Sequence, residues 1–387
     1  MEKSMTEPVK YNLPQQTQFN PNEPGSQMVY PGSVYKAVEQ HPNIFTLAED
    51  GVLEIYADNH MLSSLRTCEG YFVEGIINRI QGRGRGWSLT FGIWMHQMME
   101  YFYQAHKEDW QGEWNFRREI FDADGKLALA EGLKFQQNPQ NFIQLGQLEW
   151  TAANMDEFAE FKQYKALRGF QGAALLLLQY YTCHANGQER LRIVGAELSF
   201  GRNREVPIVV THTLQYPFRA YLTGRVDLVV DNGIVIGPLD HKTTAYFDGT
   251  EGSSYKPHDG MCGYTYALNT LMGDKFLAEG KKVNTVVVNH ICLKEQKTPE
   301  ERFKRTFKSY TDAEFNEYVL RMRRTFGKLY SLVCLEEAAD WNTSVCTMMY
   351  YHDCPFKAIH EVSPASRQSV IEQFYQIGPA WNPYNVK

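Results

Sequence analysis

The chain has 387 residues, 43% of them hydrophobic and 13% aromatic, which is enough apolar material for a large core and excludes overall disorder. The formal net charge of -6 excludes a whole-molecule basic field as the means of attracting a polyanion, so any contact with nucleic acid has to come from local clusters. An enzyme that gathers carboxylates around a cation stays compatible with that balance, because the metal supplies positive charge where a phosphodiester would sit.

Residues 1–45 carry little periodicity and include the turn formers Pro21-Asn22-Glu23-Pro24-Gly25, so they read as a flexible or loosely docked arm. They hold no signal-peptide core, and the chain has no run of about 18 uninterrupted apolar residues. The expectation is a non-secreted, cytoplasmic protein without a membrane partner. Seven scattered cysteines with no CxxC pair fit reduced thiols better than a disulfide framework.

The main domain is expected over 46–360, with a C-terminal helix and tail over 361–387. From His60 to Ile77 apolar residues recur at helical spacing. Arg79 to Gly86 is a glycine-rich basic loop that feeds a helix from about Ser88 to His106. A helical insertion is expected at about 110–186, with residues 152–184 as one long helix or a pair. Beyond Arg190 the character changes to short β-rich runs at Leu191–Val194, Ala220–Leu222, Val226–Val230 and Ile234–Ile236, the last two joined by a hairpin turn at Asp231-Asn232-Gly233. A helix from about Gly260 to Met272, a strand at Thr285–Ile291 and a helix from about Asp312 to Leu335 complete an α/β class: a mixed central β-sheet flanked by helices, with an additional helical region.

The chemistry concentrates on that hairpin. Asp227 sits in an otherwise apolar strand, where an unpaired charge is costly. Asp240 and Lys242 are two apart, so on an extended strand both side chains share a face while His241 points away. Antiparallel pairing through the turn brings Asp227 toward Asp240. Two such carboxylates call for a cation, and all-oxygen ligation favours Mg²⁺ or Mn²⁺. Lys242 beside the metal can position water or stabilise charge on the phosphate. An ordinary ion pair at a strand end accounts for Asp240 and Lys242 equally well.

Upstream, His96 and Glu100 stand at i and i+4 on one helix face and can deliver an imidazole and a carboxylate to one metal; a core histidine bonded to a glutamate is the plainer reading. Arg79, Arg83 and Arg85 precede that helix and can grip phosphates. A second basic run, Arg302, Lys304, Arg305 and Lys308 with Phe303 and Phe307 interleaved, suits a partly single-stranded ligand. Either run also fits a solvated basic surface.

Taken in order, a helix with His-xxx-Glu, a strand with Gly-Arg-x-Asp (Gly224 to Asp227), a strand with Asp-x-Lys-Thr-Thr (Asp240 to Thr244) and a helix with tyrosine resemble the PD-(D/E)XK nuclease superfamily, in particular its RecB-like exonuclease branch with phage-encoded and CRISPR-associated members. The resemblance spans roughly residues 60 to 360 and implies a restriction-endonuclease-like core. It implies that His96, Asp227, Asp240 and the backbone carbonyl of His241 ligate the metal, that Lys242 is the catalytic lysine, and that Glu100 supports the site directly or through a neighbour. Tyr266 matches the tyrosine of the Gln-xxx-Tyr motif, whose glutamine position holds Cys262. Glu197 lies on a strand that the branch often marks with an acidic residue, and is a supporting candidate.

Some members of the branch bind an iron-sulfur cluster through one cysteine before and three after the core. Cys68, Cys346, Cys354 and His360 match those positions, with His360 in place of the last cysteine. They suit a 4Fe-4S cluster, Zn²⁺, or buried free thiols left from a cluster-binding ancestor. The implied activity is a Mg²⁺- or Mn²⁺-dependent deoxyribonuclease, an exonuclease of DNA recombination, repair or phage replication, working with DNA and other recombination or replication proteins, in the host cytoplasm if phage-encoded. The alternative is a catalytically inactive nucleic-acid-binding or assembly protein that keeps the fold. A hydrolase of small phosphoesters has less support, since the basic runs point to a long polyanion.

Overall fold

A single long strand organises the sheet. The computed structural model describes residues 29–82, 92, 95, 96, 99, 176, 179, 180, 191–210, 217–244, 247, 249, 259–294, 296–342 and 354–382. In chain order the elements used below are α1 (Gly32–Gln40), β1 (Phe45–Leu47), β2 (Leu53–Asp58), α2 (Asn59–Thr67), α3 (Glu69–Phe72), β3 (Ile80–Gly82), β4 (Arg192–Phe200), β5 (Pro207–Val210), β6 (Phe218–Asp231), β7 (Ile236–Thr244), α4 (Asp259–Ala278), β8 (Thr285–Cys292), β9 (Phe303–Ser309), α5 (Asp312–Cys334), α6 (Lys357–His360), α7 (Arg367–Phe374) and β10 (Tyr375–Ile377).

Among the described residues the main sheet has eight strands, in the order β1-β2-β6-β7-β8-β9, with β4 and β5 also pairing β6. The β2–β6 and β7–β8 pairs are parallel and the others antiparallel, so the sheet is mixed, as expected. β8 buries all eight of its residues, which its unbroken Val-Val-Val run allows in a strand covered on both faces. The β6–β7 turn forms where its side chains predict. Asp231 Oδ1 accepts the Gly233 N–H (2.7 Å), Asn232 Oδ1 accepts the N–H groups of Ile234 and Val235, and Gly233 takes φ 93°, a conformation open to glycine.

The helices that cover the sheet are written into local signals. Thr311 and Glu314 form a capping box at the start of α5, worth about 1 kcal/mol. Phe315, Tyr318, Met322, Phe326 and Leu329 then recur at three- and four-residue spacing and bury one face of the helix. Gly263 lets α4 approach closely: a Cβ there would lie 2.5 Å from both the Tyr318 hydroxyl and the Asn59 amide, groups that hydrogen-bond each other at 3.0 Å.

Two stretches depart from the sequence reading. The arm expected over 1–45 is helical from Gly32 to Gln40, and Tyr30, Val34, Ala37, Ile44 and Phe45 lie in the core. Tyr30 ties it down by donating to the Pro217 carbonyl (2.7 Å) and accepting the Leu53 N–H (2.8 Å). The glycine-rich loop expected from Arg79 begins instead as β3, which pairs antiparallel with β10 near the other end of the chain. Three-residue strands are too short to show periodicity, and this partner is remote in sequence. No described helix is long and apolar enough to cross a membrane.

Candidate active site

The β6–β7 ladder runs from the turn to Leu228↔Leu239, so Asp227 and Asp240 are the next residues facing each other. Here the strands part. The Asp227 carboxylate fills the gap by accepting the His241 N–H at Oδ2 (2.9 Å), which ties one strand's side chain to the other's backbone. His96 Nδ1 lies 3.3 Å from the same oxygen. Beside it Met95 and Met99 are fully buried, and a Cβ on Gly92 would lie 3.4 Å from the Thr243 hydroxyl. On β7, Lys242 Nζ lies 2.6 Å from Asp240 Oδ2. The carboxylate is buried, and the lysine, 39% exposed, reaches outward from it.

Burial and neighbouring charge act in opposite senses on the two acids. Burial would raise the Asp227 carboxyl, but the cationic form of His96 and its hydrogen bond hold it well below the usual range. Asp240 goes the other way, because burial, reinforced by Asp227, outweighs Lys242. Burial would lower both His96 and Lys242, yet the carboxylates beside them raise both. The site therefore holds its charges as two opposed pairs, His96–Asp227 and Lys242–Asp240.

A divalent cation fits this donor set. Asp240 Oδ2 is buried and meets only the Lys242 ammonium among the described residues, so an anionic oxygen keeps coordinating capacity inside the protein. Among the described residues no three His, Cys, Asp or Glu side chains enclose an ion by themselves. Further ligands would have to come from the His241 carbonyl, water, substrate, or Glu100, which lies outside the described residues.

Glu197 approaches the site from β4. The pairs Ala196↔Leu228 and Leu198↔Val226 bracket it, which sets it across from Asp227. It takes φ 51°, an unusual conformation for this residue in a strand, and pairs with Arg225 Nε at 2.6 Å. Burial pushes its carboxyl up to about 7.

The two tyrosines at the start of α4 lie in different surroundings. Tyr266 packs on Phe315 and Tyr318, at ring separations of 6.0 and 5.8 Å. Tyr264 meets the Phe200 ring at 6.5 Å, and burial, and next the charge of Asp240, raise its hydroxyl. Motif spacing selected Tyr266. The first turns of α4 bury Met261, Cys262, Gly263, Thr265, Ala267 and Leu268, so apolar periodicity could not tell which tyrosine faces the sheet.

The basic runs fare unequally. Arg83 and Arg85 lie outside the described residues. Arg79 immediately precedes β3, its carbonyl accepts the Gly378 N–H (2.7 Å), and its charge is felt by His41. In the second run Arg302 is 4% exposed and donates to Gln179 (2.8 Å), a correction to its reading as a surface contact. Arg305 donates to the Tyr180 hydroxyl (2.7 Å), and Lys308 pairs with Glu314 (2.8 Å). Lys304 and Phe307 are exposed on the edge strand β9.

The described members of the cysteine set, Cys68, Cys354 and His360, lie in packed surroundings. Cys354 belongs to a small apolar cluster with Ile80, Phe356, Ile359 and Tyr375. Cys68 is buried at the α2–α3 junction, onto which residues 340–342 dock through Asp340 and Asn342. The Trp341 ring lies against Gly70, where a Cβ would fall 2.0 Å from it, and meets the His360 ring at 3.8 Å. Burial pushes His360 down to about 4. Cys346 lies outside the described residues.

No curated protein matches the chain. A crystal structure of a candidate exonuclease from Eubacterium rectale is similar at 14% identity over 71% of this chain and 77% of that one, with a TM-score of 0.28, a likeness too slight to carry an argument. The family model for the PD-(D/E)XK nuclease superfamily matches residues 62–359, a span that runs from α2 through the parted β6–β7 strands to α6. The chain belongs to the PD-(D/E)XK nuclease superfamily.

Proposed function

We propose that this chain is a Mg²⁺- or Mn²⁺-dependent deoxyribonuclease, an exonuclease serving DNA recombination, repair or phage replication. The observation that carries the reading is the parted end of the β6–β7 hairpin, where Asp227 and Asp240 face each other, each with its own cationic partner. Superfamily members generally use a divalent metal such as Mg²⁺ and act on nucleic acid. Asp227 and Asp240 would hold the ion, with the His241 carbonyl and His96 completing the set. When bound, it supplies Lewis acidity at the scissile phosphate and a water of lowered pKa.

The chain's own groups divide the rest of the work. Lys242 keeps its proton at neutral pH, because burial is outweighed by Asp240, and so brings a permanent positive charge to the developing phosphate oxyanion. The His241 N–H fixes the Asp227 carboxylate in one orientation before substrate arrives. The cationic form of His96 must lose a ring proton to act as a ligand, which makes metal affinity rise with pH. The Cys68, Cys354 and His360 surroundings are read as packing, since Trp341 fills the space against His360. The test is end-labelled linear and closed circular DNA incubated with the protein and Mn²⁺. Linear DNA is expected to shorten from its ends while circles persist, and full activity in both Asp240→Ala and Lys242→Ala would remove the assignment.

A further inference from the structure

On the face of β7 opposite Asp240 and Lys242, where the His241 ring also lies 6.2 Å from that of His96, a polar chain crosses three strands. His241, Asn289 and Arg305 are successive cross-strand neighbours on β7, β8 and β9. Asn289 is fully buried and His241 is 2% exposed. Asn289 Nδ2 lies 2.9 Å from His241 Nδ1, and Arg305 Nε donates to Asn289 Oδ1 at 3.4 Å. Arg305 in turn donates to the hydroxyl of fully buried Tyr180, and its guanidinium lies 5.9 Å from that ring's centre. The edge of the same ring meets His241, at a centroid separation of 6.5 Å.

The direction of this chain follows from chemistry. An arginine side chain can only donate, so Asn289 must turn its oxygen to Arg305 and its amide nitrogen to His241. His241 Nδ1 then accepts, and the ring proton sits on Nε2. We propose that Arg305 is a positioning residue for the nuclease site: through Asn289 it fixes His241 as the Nε2–H tautomer in one rotamer, and so fixes the backbone between Asp240 and Lys242 whose N–H holds Asp227. The residue that separates the acid from the lysine is thus an anchor. Metal-site ligands lose their pre-set orientation when such outer partners are removed.

The consequence for metal binding rests on the proposed function; the tautomer does not, and the two are measured separately. In ¹⁵N-histidine-labelled protein, with the His241 signal identified by its loss in H241Q, two-bond correlation spectra are expected to show Nε2–H. Asn289→Asp, whose carboxylate only accepts, is expected to reverse this to Nδ1–H. Arg305→Met is expected to populate both tautomers and to weaken Mn²⁺ binding, measured by calorimetry, about tenfold or more, with Arg305→Lys recovering most of it. The KM for DNA is expected to stay unchanged. An Nδ1–H signal in the unaltered protein overturns the proposal with no variant needed. A raised KM in Arg305→Met, with tautomer and Mn²⁺ affinity intact, overturns it in favour of a DNA-contacting arginine. If the unaltered protein cleaves no DNA while the tautomers and Mn²⁺ affinity respond as stated, the proposed function fails and the anchor stands.

Discussion

The parted end of β6–β7 and the segment around Cys354 both gather residue types that bind metals, yet they are built on opposite principles. At the hairpin every buried charge has an opposite charge within 3.3 Å, and the hydrogen bond from His241 locks the geometry across two strands. Around Cys354 the neighbours are Ile80, Phe356, Ile359 and Tyr375, and His360 lies under an indole ring, with neither nitrogen hydrogen-bonded among the described residues. Charge is already paired at the first site, whereas at the second the Trp341 indole lies 3.8 Å from the His360 ring. Ligand residue types are therefore a weaker guide than what surrounds them.

The largest effect that can break this contrast is on cleavage. Loss of the Lys242 ammonium in Lys242→Ala, or of the anionic ligand in Asp240→Asn, is expected to lower kcat by about 10²–10³-fold or more. Far-ultraviolet circular dichroism should remain that of the unaltered protein. Asp240→Asn should also raise stability at pH 7 in metal-free buffer. Its folded carboxyl is raised above the unfolded value of 3.8, so ionisation above that value costs stability that the amide does not lose. Mg²⁺ should then raise the melting temperature of the unaltered protein and not of Asp240→Asn. Equal thermal shifts in both would place the ion elsewhere.

The His96–Asp227 pair gives the contrast a pH signature. Asp227 is lowered on folding, so its contribution is present above 3.8 and fades as pH falls through the lowered value. His96 is raised, so its contribution is present below 6.5 and fades as pH climbs through the raised value. His96→Gln should therefore destabilise most between 3.8 and 6.5, by about 1–3 kcal/mol, the low end being favoured because the imidazole is one-third exposed. Urea titrations at pH 5 and pH 8.5 separate this from a purely steric loss, which would be the same at both.

How far these sites could be read beforehand follows from how local their causes are. The turn at Asp231-Asn232-Gly233, the Asp-x-Lys spacing and the α5 start at Thr311 all act within a few residues, and the structure forms each where the chain announces it. Nothing local takes Arg302 and Arg305 off the surface; Arg302 is buried and Arg305 half-buried because they reach Gln179 and Tyr180, more than a hundred residues earlier. The docking of Tyr30 on Pro217 and of β10 on β3 is equally non-local. Tyr264 was missed for a different reason, the lack of a polar stripe to set the phase of α4. Tyr264→Phe is expected to slow cleavage about tenfold by removing a polar group from the site, and Tyr266→Phe to leave the rate unchanged, since only its ring packs. A rate loss confined to Tyr266→Phe would restore the motif's own choice.

The smallest expected effect tests the other side of the contrast. Both ring nitrogens of His360 are buried without a hydrogen bond among the described residues, and burial holds the ring neutral down to about 4. A buried polar atom with no partner is a cost, so a purely apolar ring of similar size should be tolerated or better. His360→Phe is expected to gain about 0.5–1 kcal/mol in urea unfolding while leaving Mn²⁺-dependent cleavage unchanged. A ligand at this position predicts the reverse, because substitution would release iron or zinc and expose the cysteines. The unaltered protein, purified anaerobically, is accordingly expected to carry neither metal in stoichiometric amount. Iron with acid-labile sulfide, or zinc, lost together with stability in His360→Phe, would show that Trp341 shields a bound ion rather than fills its place.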